Sequence, residues 1–293
     1  MAADTPAPAM PGYTLVWHEE FDRDGPLDPN EWVFERGLVR NHEDQVYTDK
    51  NAYCQGGKLI IEARKEETVN GDYDPNGKEW WQQRQKSFYT SASVTTLGKH
   101  EFLYGRFEIR ARIPTAPGSW PAIWTLGTRL EWPSGGEIDI MEYYPHQGVP
   151  CLNANVAWGA DARWEPVWRV VRTPIAKLEE RDPQWRNAFH VWRMDWDHEA
   201  IRLYVDGELL NEVLLKDTVD GAFGKGANPY RDHPHYLLFS EALGGDNGGK
   251  VDEAALPMRL EVDYVRVYQK TGDPLAKAVH GRPGAKIPTA EEP

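Results

Sequence analysis

The segment FEIRARI at residues 107–113 alternates apolar and charged side chains along its whole length. Because successive side chains of a β-strand point to opposite faces, this segment predicts a strand with one buried and one solvated face. Other strand-like runs extend from YTLVW at residues 13–17 to LEVDYVRVY at residues 260–268, and Gly, Pro, Asn and Asp separate them. Residues 201–209, IRLYVDGEL, predict two strands joined by a tight turn at Asp206-Gly207. These patterns indicate antiparallel sheets.

Helical signals are few. Residues 173–188 begin with Thr-Pro and contain Leu178, Glu179 and Glu180, but Pro183 interrupts them. No repeating βα pattern is present, so the sequence predicts an all-β fold built as one antiparallel β-sandwich. We expect this domain to occupy residues 13–270. Residues 1–12 are interpreted as a linker or tag remnant, and residues 271–293, rich in Gly, Pro, Ala, Lys and Glu, as a tail or linker.

The composition excludes several classes of function. With 33 basic and 46 acidic residues, the formal net charge of −13 disfavours binding to nucleic acid or to anionic membranes. No apolar run approaches the roughly 20 residues that span a bilayer. The first residues lack a signal-peptide pattern, and the Pro- and Ala-rich residues 2–11 resemble a mature N-terminus from which an export signal has been removed. We expect a secreted, periplasmic or cell-surface protein and a monomer.

Aromatic residues and cysteines add two further expectations. The 13 Trp and 13 Tyr residues offer flat apolar faces with a polar edge, against which sugar rings pack, although core packing accounts for many of them. Cys54 and Cys151 are interpreted as separate buried thiols without an assigned function, with a disulfide as the alternative.

The candidate active site is the run GGEIDIMEYY at residues 135–144, which places three acids in a strand. Period-2 geometry puts Glu137 and Asp139 on one face and Glu142 on the other. A one-residue β-bulge near Ile140-Met141 would return Glu142 to the face of the other two acids. The sequence therefore predicts a bulged strand that gathers three carboxyl groups.

Three gathered carboxyl groups suit glycoside hydrolysis. A retaining mechanism needs two carboxyl groups about 5–5.5 Å apart, one as nucleophile and one as acid/base, and the bulged strand permits this. Asp139, between them, would help to keep a proton on the acid/base. Ordinary solvated acids and a Ca²⁺ site are the alternatives, but the first does not explain like charges crowded on one strand, and a strand lacks the wrapping loop that Ca²⁺ usually recruits.

The EIDIME run, residues 137–142, resembles the signature of glycoside hydrolase family 16 in its laminarinase-like, bulged form. Further landmarks of that family occur in order at residues 104–110, 118–127, 189–192, 204–207 and 262–268. The resemblance implies a concanavalin-like β-jelly roll of two antiparallel sheets with an open substrate cleft. It also implies that Glu137 is the nucleophile, that Glu142 is the acid/base and that Asp139 assists the nucleophile.

The same resemblance implies further site residues. Trp120 and Trp124 match cleft tryptophans, and Asn41 and Glu43 match a sugar-binding loop. Laminarinase-like members usually carry a His where this chain has Ala157 and an Asn-Leu pair where it has Ser240-Glu241, so the cleft floor differs there, and Trp158 and Ser240 join the substrate-binding candidates. No catalytic cofactor is implied. A structural Ca²⁺ is implied at Glu20, the Gly57 backbone and Asp263.

The resemblance points to an endo-acting retaining β-glycosidase whose partner is a polysaccharide. A β-1,3-glucan or a mixed-linked β-1,3/1,4-glucan is the first expectation; a galactan of the agar, porphyran or carrageenan type, or a host glycan, is the alternative. Transglycosylation is a variant of the same chemistry. A non-catalytic lectin-like module is the alternative of another class. Six arginines between residues 163 and 193 are compatible with acidic or sulfated sugars and with an ordinary solvated surface.

Overall fold

Strands dominate the computed structural model, which describes residues 7–282 and 284–285. The strands are β1 (Tyr13–Glu19), β2 (Val33–Phe34), β3 (Gln45–Tyr47), β4 (Ala52–Cys54), β5 (Leu59–Val69), β6 (Lys86–Ser91), β7 (Ser93–Thr95), β8 (His100–Leu103), β9 (Gly105–Arg112), β10 (Ser119–Gly127), β11 (Glu137–His146), β12 (Val149–Gly159), β13 (Pro166–Pro174), β14 (His190–Trp196), β15 (Ala200–Val205), β16 (Glu208–Leu214), β17 (His235–Leu243), β18 (Met258–Lys270) and β19 (Lys277–His280). This confirms the predicted all-β class.

The helices are short. They are α1 (Trp80–Gln83), α2 (Ile175–Glu179), α3 (Pro229–Asp232) and α4 (Gly245–Gly248), with 3₁₀ turns at Asp49–Asn51, Trp185–Asn187, Leu215–Asp217 and Glu253–Ala255. The predicted helical stretch 173–188 is thus reduced to α2 and one 3₁₀ turn, because its first two residues complete β13. None of the helices in the described ranges has the length and apolarity that a membrane crossing requires.

The strands form two large, mostly antiparallel sheets. A ten-stranded sheet has the order β16-β15-β14-β9-β18-β5-β6-β3, with β1 added to β18 and β4 to β5. A nine-stranded sheet has the order β13-β12-β11-β10-β17-β7-β2, with β8 beside β17 and β19 beside β8. Only the short β3–β6 pairing is parallel among the named strand pairs of the described residues. The arrangement is the predicted sandwich.

One apolar core lies between the sheets. On β9, Phe107, Ile109 and Ala111 are buried, while the charged residues between them remain partly exposed, as the FEIRARI alternation predicts. On β11 of the other sheet, Ile138 and Ile140 face the same core. Each sheet therefore buries one face, and the opposite face of the nine-stranded sheet stays available for a cleft.

Two local features bear on the sequence interpretation. The chain turns at Asp206 and Gly207, both at positive φ, between β15 and β16, as predicted for this hairpin. Residues 277–280 lie in the predicted tail, yet they form β19 and pair with β8, where Ala278 packs against the core. Folded structure therefore extends beyond residue 270, because the edge of β8 offers backbone groups for pairing.

Cys54 and Cys151 are buried free thiols.

Gly118 provides a test of the packing at the start of β10. A Cβ at this position would lie 2.3 Å from the Cα of Val251, and φ is +86°. We expect Gly118→Ala to lower the free energy of unfolding by ~1–2 kcal/mol for the left-handed conformation and by ~1–3 kcal/mol more for the clash. Gly207→Ala is the control, because φ is +84° but nothing lies within 4 Å. Equal losses for both variants in urea unfolding would contradict this packing.

Candidate active site

The bulge predicted in β11 is present. Asp139 pairs with Asn155 of β12, and the next matched pair is Glu142 with Asn153. Two residues of β11, Ile140 and Met141, therefore face one residue of β12. Both are buried, so the strand inserts an extra apolar residue into the core and returns Glu142 to the face of Asp139. The prediction that Glu137, Asp139 and Glu142 share one face is confirmed, since all three line the same cleft.

Side-chain amides and indoles hold the three carboxyl groups in place. The Asn155 Nδ2 group donates to Asp139 Oδ2 and to Glu142 Oε2, each at 3.0 Å. The indole Nε1 of Trp120 donates to Glu142 Oε1 at 2.7 Å. The indole Nε1 of Trp132 donates to Glu137 Oε2. Each acid is thus oriented by a partner from a neighbouring strand or loop.

Burial keeps protons on this cluster. Burial raises the pKa of Asp139 well above its ordinary value, and the negative charges of Glu137 and Glu142 raise it further. Burial also raises the pKa of Glu142, to about 8. The pKa of Glu137 is raised by burial too, but hydrogen bonds from Asp139 and Trp132 oppose the rise. Near neutral pH, Asp139 and Glu142 therefore hold protons, and Glu137 is the group best able to carry the charge.

These protonation states suit two different chemical roles for Glu137 and Glu142. An ionised Glu137 is a nucleophile, and a protonated Glu142 is an acid that can donate to a leaving oxygen. The protonated Asp139 donates a hydrogen bond to Glu137 and so stabilises the Glu137 carboxylate. The pair of roles is the one that retaining glycoside hydrolysis needs.

The cleft around these acids has a volume of about 710 Å³. Five of the six predicted substrate-binding residues line it, namely Asn41, Glu43, Trp120, Trp124 and Ser240. Trp158 does not, because its side chain packs in the core cluster. Period-2 alternation on β12 places Ala157 beside Glu137 and turns Trp158 to the opposite face. The structure thus places Trp158 away from any substrate in the cleft.

A buried ionic network supports one wall of the cleft. The Arg40 guanidinium donates to Glu35 and lies 5.0 Å from the centre of the Trp124 ring. Glu43 accepts a hydrogen bond from Gln45 Nε2 at 2.8 Å, and burial raises its pKa to about 7. The cation over the ring holds the indole plane in place. Trp124 therefore presents a firm surface to the cleft.

Several cleft residues were missed by the sequence interpretation. They are Arg40, Trp132, Tyr144, Asn155, Trp168 and Arg172. A signal existed for Trp132, which stands five residues before Glu137 in the WPSGGE segment, and for Asn155, which alternates with Asn153 on the strand after the acids. No comparable signal marks Arg172 among the six arginines of its region.

The predicted calcium ligands lie on the ten-stranded sheet and its loops. Glu20 accepts two hydrogen bonds from Arg266, at 2.9 and 2.7 Å, and Asp263 accepts one from Arg110 at 2.6 Å. Gly57 lies in the turn between β4 and β5 at a φ of +69°. In the described ranges, no group of three or more His, Cys, Asp or Glu side chains is arranged to hold a metal ion. Arginines already neutralise both carboxylates, so calcium remains a prediction.

Comparisons with known proteins agree with this geometry. Residues 39–266 match the family described as Glycosyl hydrolases family 16. A beta-glucanase of Rhodothermus marinus is 40% identical over 275 residues, which cover 88% of this chain and 86% of that protein. Some other curated relatives are longer; the chain spans 39% of a glucan endo-1,3-beta-glucosidase A1 of Niallia circulans at 31% identity, and the match covers 90% of this chain.

Solved structures share the fold. The laminarinase of Rhodothermus marinus superposes with a TM-score of 0.70 at 35% identity, covering 89% of this chain and 99% of that one. A structure from work on endo-acting O-glycanases, with which prominent human gut bacteria initiate mucin breakdown, gives a TM-score of 0.80 at 33% identity, covering 91% and 94%. The predicted jelly roll is confirmed.

The Glu142 carboxyl group should titrate near pH 8. In ¹³C NMR, we expect its carboxyl resonance, identified by its loss in Glu142→Gln, to shift with a midpoint near that pH. Trp120→Phe removes the indole N–H that stabilises the ionised form, so the midpoint should rise. Trp124→Phe is the control, because its indole N–H donates to none of the described residues. A midpoint below pH 5 would contradict the buried, proton-bearing Glu142.

Proposed function

Because this chain belongs to glycosyl hydrolases family 16, as residues 39–266 show, we propose that it cleaves a β-1,3-glucan or a mixed-linked β-1,3/1,4-glucan internally. The chain is an endo-acting glycoside hydrolase, and the observation that carries the mechanism is the bulge that unites Glu137, Asp139 and Glu142. The identity of the glucan is supported by the similarity to the beta-glucanase and the laminarinase of Rhodothermus marinus.

The reaction follows from the protonation states of the cluster. Glu137 attacks the anomeric carbon and forms a glycosyl-enzyme bond, while Glu142 donates its proton to the leaving glycosidic oxygen. Glu142, now ionised, takes a proton from a water molecule, whose oxygen then attacks the anomeric carbon and releases Glu137. The two steps together retain the configuration of the sugar. A sugar hydroxyl in place of water would give transglycosylation.

A host glycan is the second candidate substrate. It is supported by the O-glycanase structure, whose TM-score of 0.80 exceeds the 0.70 of the laminarinase. The cleft also departs from the laminarinase pattern at Ala157 and Ser240, and Ser240 lines it. Both candidates use the same three carboxyl groups, so only the substrate distinguishes them.

Substrate and mechanism are tested together. We expect reducing ends from laminarin or lichenan, and the panel should include agar, porphyran, carrageenan and mucin O-glycans. Release of reducing ends from mucin O-glycans alone would identify the host glycan, and not the glucan, as the substrate. Binding of glycans without release of ends from any of them would favour a lectin and contradict the enzyme.

Two variants separate the roles of the acids. Glu137→Ala should abolish turnover with an unchanged circular dichroism spectrum, because no group remains to form the glycosyl-enzyme. Glu142→Ala should lower kcat by about 10²–10⁴-fold. Azide should restore the turnover of an aryl glycoside by the Glu142→Ala variant, because azide attacks the glycosyl-enzyme without a general base. In the Glu137→Ala variant, azide should not give a product of retained configuration. Full activity in Glu137→Ala would contradict the nucleophile assignment.

Two further expectations remain proposals. A polysaccharide substrate is too large to enter a cell freely, which supports action outside the cytoplasm, and we propose a monomeric enzyme. Structural Ca²⁺ at Glu20, Gly57 and Asp263 rests on the family resemblance, and the ion would compete with Arg266 and Arg110 for the carboxylates.

Calcium binding has a direct readout in thermal stability. If the ion binds, Ca²⁺ should raise Tm relative to EDTA, because it binds the folded chain and not the unfolded one. Glu20→Gln should abolish the rise, whereas Glu108→Gln, on the same sheet, should keep it. Identical Tm values of the wild type in Ca²⁺ and in EDTA would contradict the proposed site.

A further inference from the structure

Residues 163–193 contain six arginines, which lie at separate places in the folded structure. Four of them pair with carboxylates, in the pairs Arg163–Glu131, Arg181–Glu208, Arg186–Glu179 and Arg193–Asp195. The remaining two, Arg169 and Arg172, lie on β13, the edge strand next to β12, and neither forms an ion pair within the described part of the chain. Their positions on the strand decide what each can contact.

Arg169 and Arg172 are three residues apart and so point to opposite faces of β13. Arg172 lines the cleft with Trp168 and Val170, and Arg169 does not. Across the sheet, Glu142 pairs with Asn153, and Asn153 pairs with Arg172. At ~4.8 Å per strand, the Cα atoms of Glu142 and Arg172 are roughly 10 Å apart. The guanidinium therefore stands beside the acid/base, within reach of a sugar ring bound there.

The surroundings of Arg172 leave its charge available. Its hydrogen-bond partner in the cleft is the phenol of Tyr144, and the residue is exposed. The other cleft arginine, Arg40, is paired with Glu35 and covered by Trp124. A guanidinium has five N–H donors, so Arg172 keeps donors beyond its contact with Tyr144 for a ligand in the cleft.

A neutral sugar does not require such a group. Hydroxyl groups are bound well by amides and indoles, which this cleft already supplies. The planar fork of a guanidinium matches the paired oxygens of a sulfate or a carboxylate. With a net charge of −13 and an ionised Glu137 in the cleft, the protein would otherwise repel an anionic substrate. A local cation at the cleft wall removes that penalty at one position.

We propose that Arg172 binds an anionic substituent, a sulfate ester or a carboxylate, on a sugar ring that lies next to Glu142. The enzyme would then act on acid-substituted forms of its β-linked polysaccharide and discriminate them from neutral forms. This inference rests on the proposed glycosidase function and adds the chemical class of the substituent.

A different role for Arg172 would leave a different signature. Its positive charge also lowers the pKa of Glu142, against the larger effect of burial. Such an effect on the acid/base changes the turnover of neutral and anionic substrates by the same factor. Recognition of a substituent changes their ratio, so the ratio of kcat/KM values is the quantity to measure.

The test compares laminarin, partly sulfated laminarin and partly carboxymethylated laminarin of the same chain length. We expect Arg172→Gln to lower the kcat/KM ratio of an anionic to the neutral polymer by about tenfold, as the loss of a charge-assisted hydrogen bond would. The sulfated and carboxymethylated arms show which anion is bound. Arg169→Gln is the matched control: it removes the same charge from the same strand on the face away from the cleft, and its ratios should equal those of the wild type.

Equal effects of Arg172→Gln on all three polymers, or no effect on any, would overturn the inference and leave the hydrolase intact. If the wild type cleaves another polysaccharide instead of laminarin, the same ratio is measured on that polymer with its anionic groups added or removed. If the wild type cleaves none, the proposed function itself fails and this inference fails with it.

Discussion

Three carboxyl groups lie side by side in the floor of the cleft, and their burial, reinforced by mutual repulsion, prevents them from all being ionised at neutral pH. Burial makes each charge costly, and each ionised neighbour makes the next one costlier. The cluster therefore keeps protons on Asp139 and Glu142, which is the state that the first chemical step requires. Asn155 fixes the geometry of the pair, because one amide donates to both Asp139 and Glu142, and burial outweighs the lowering of the pKa that these hydrogen bonds cause.

The sandwich supplies the conditions for that cluster. One face of β11 must stay apolar to pack against the ten-stranded sheet, and Ile138 and Ile140 do so. A regular strand would then have buried Glu142 in the same core. The bulge resolves the conflict by adding one buried residue, Met141, and so the carboxyl groups meet on the cleft face without a charge entering the core.

Neighbouring strands complete the site by their lateral register. Trp120 reaches Glu142 from β10, and Asn155 reaches it from β12. Further out, Trp168 and Arg172 on β13 form an outer wall of exposed aromatic and basic character. On the opposite side, Arg40 forms an internal ion pair with Glu35 and packs against the ring of Trp124. The same residue type therefore serves packing on one wall and remains available on the other.

The sequence by itself determined the all-β class, the hairpin at Asp206-Gly207 and the bulge in β11, because all three follow from local signals: a period of two, the turn preference of Asp-Gly, and which side chains tolerate burial. Only the tertiary structure decided that Trp158 faces the core, that residues 277–280 join a sheet, and that Arg172 alone of six arginines lines the cleft. These outcomes depend on which strands lie side by side and in what register. Such pairings join residues far apart in the chain, and no local pattern specifies them.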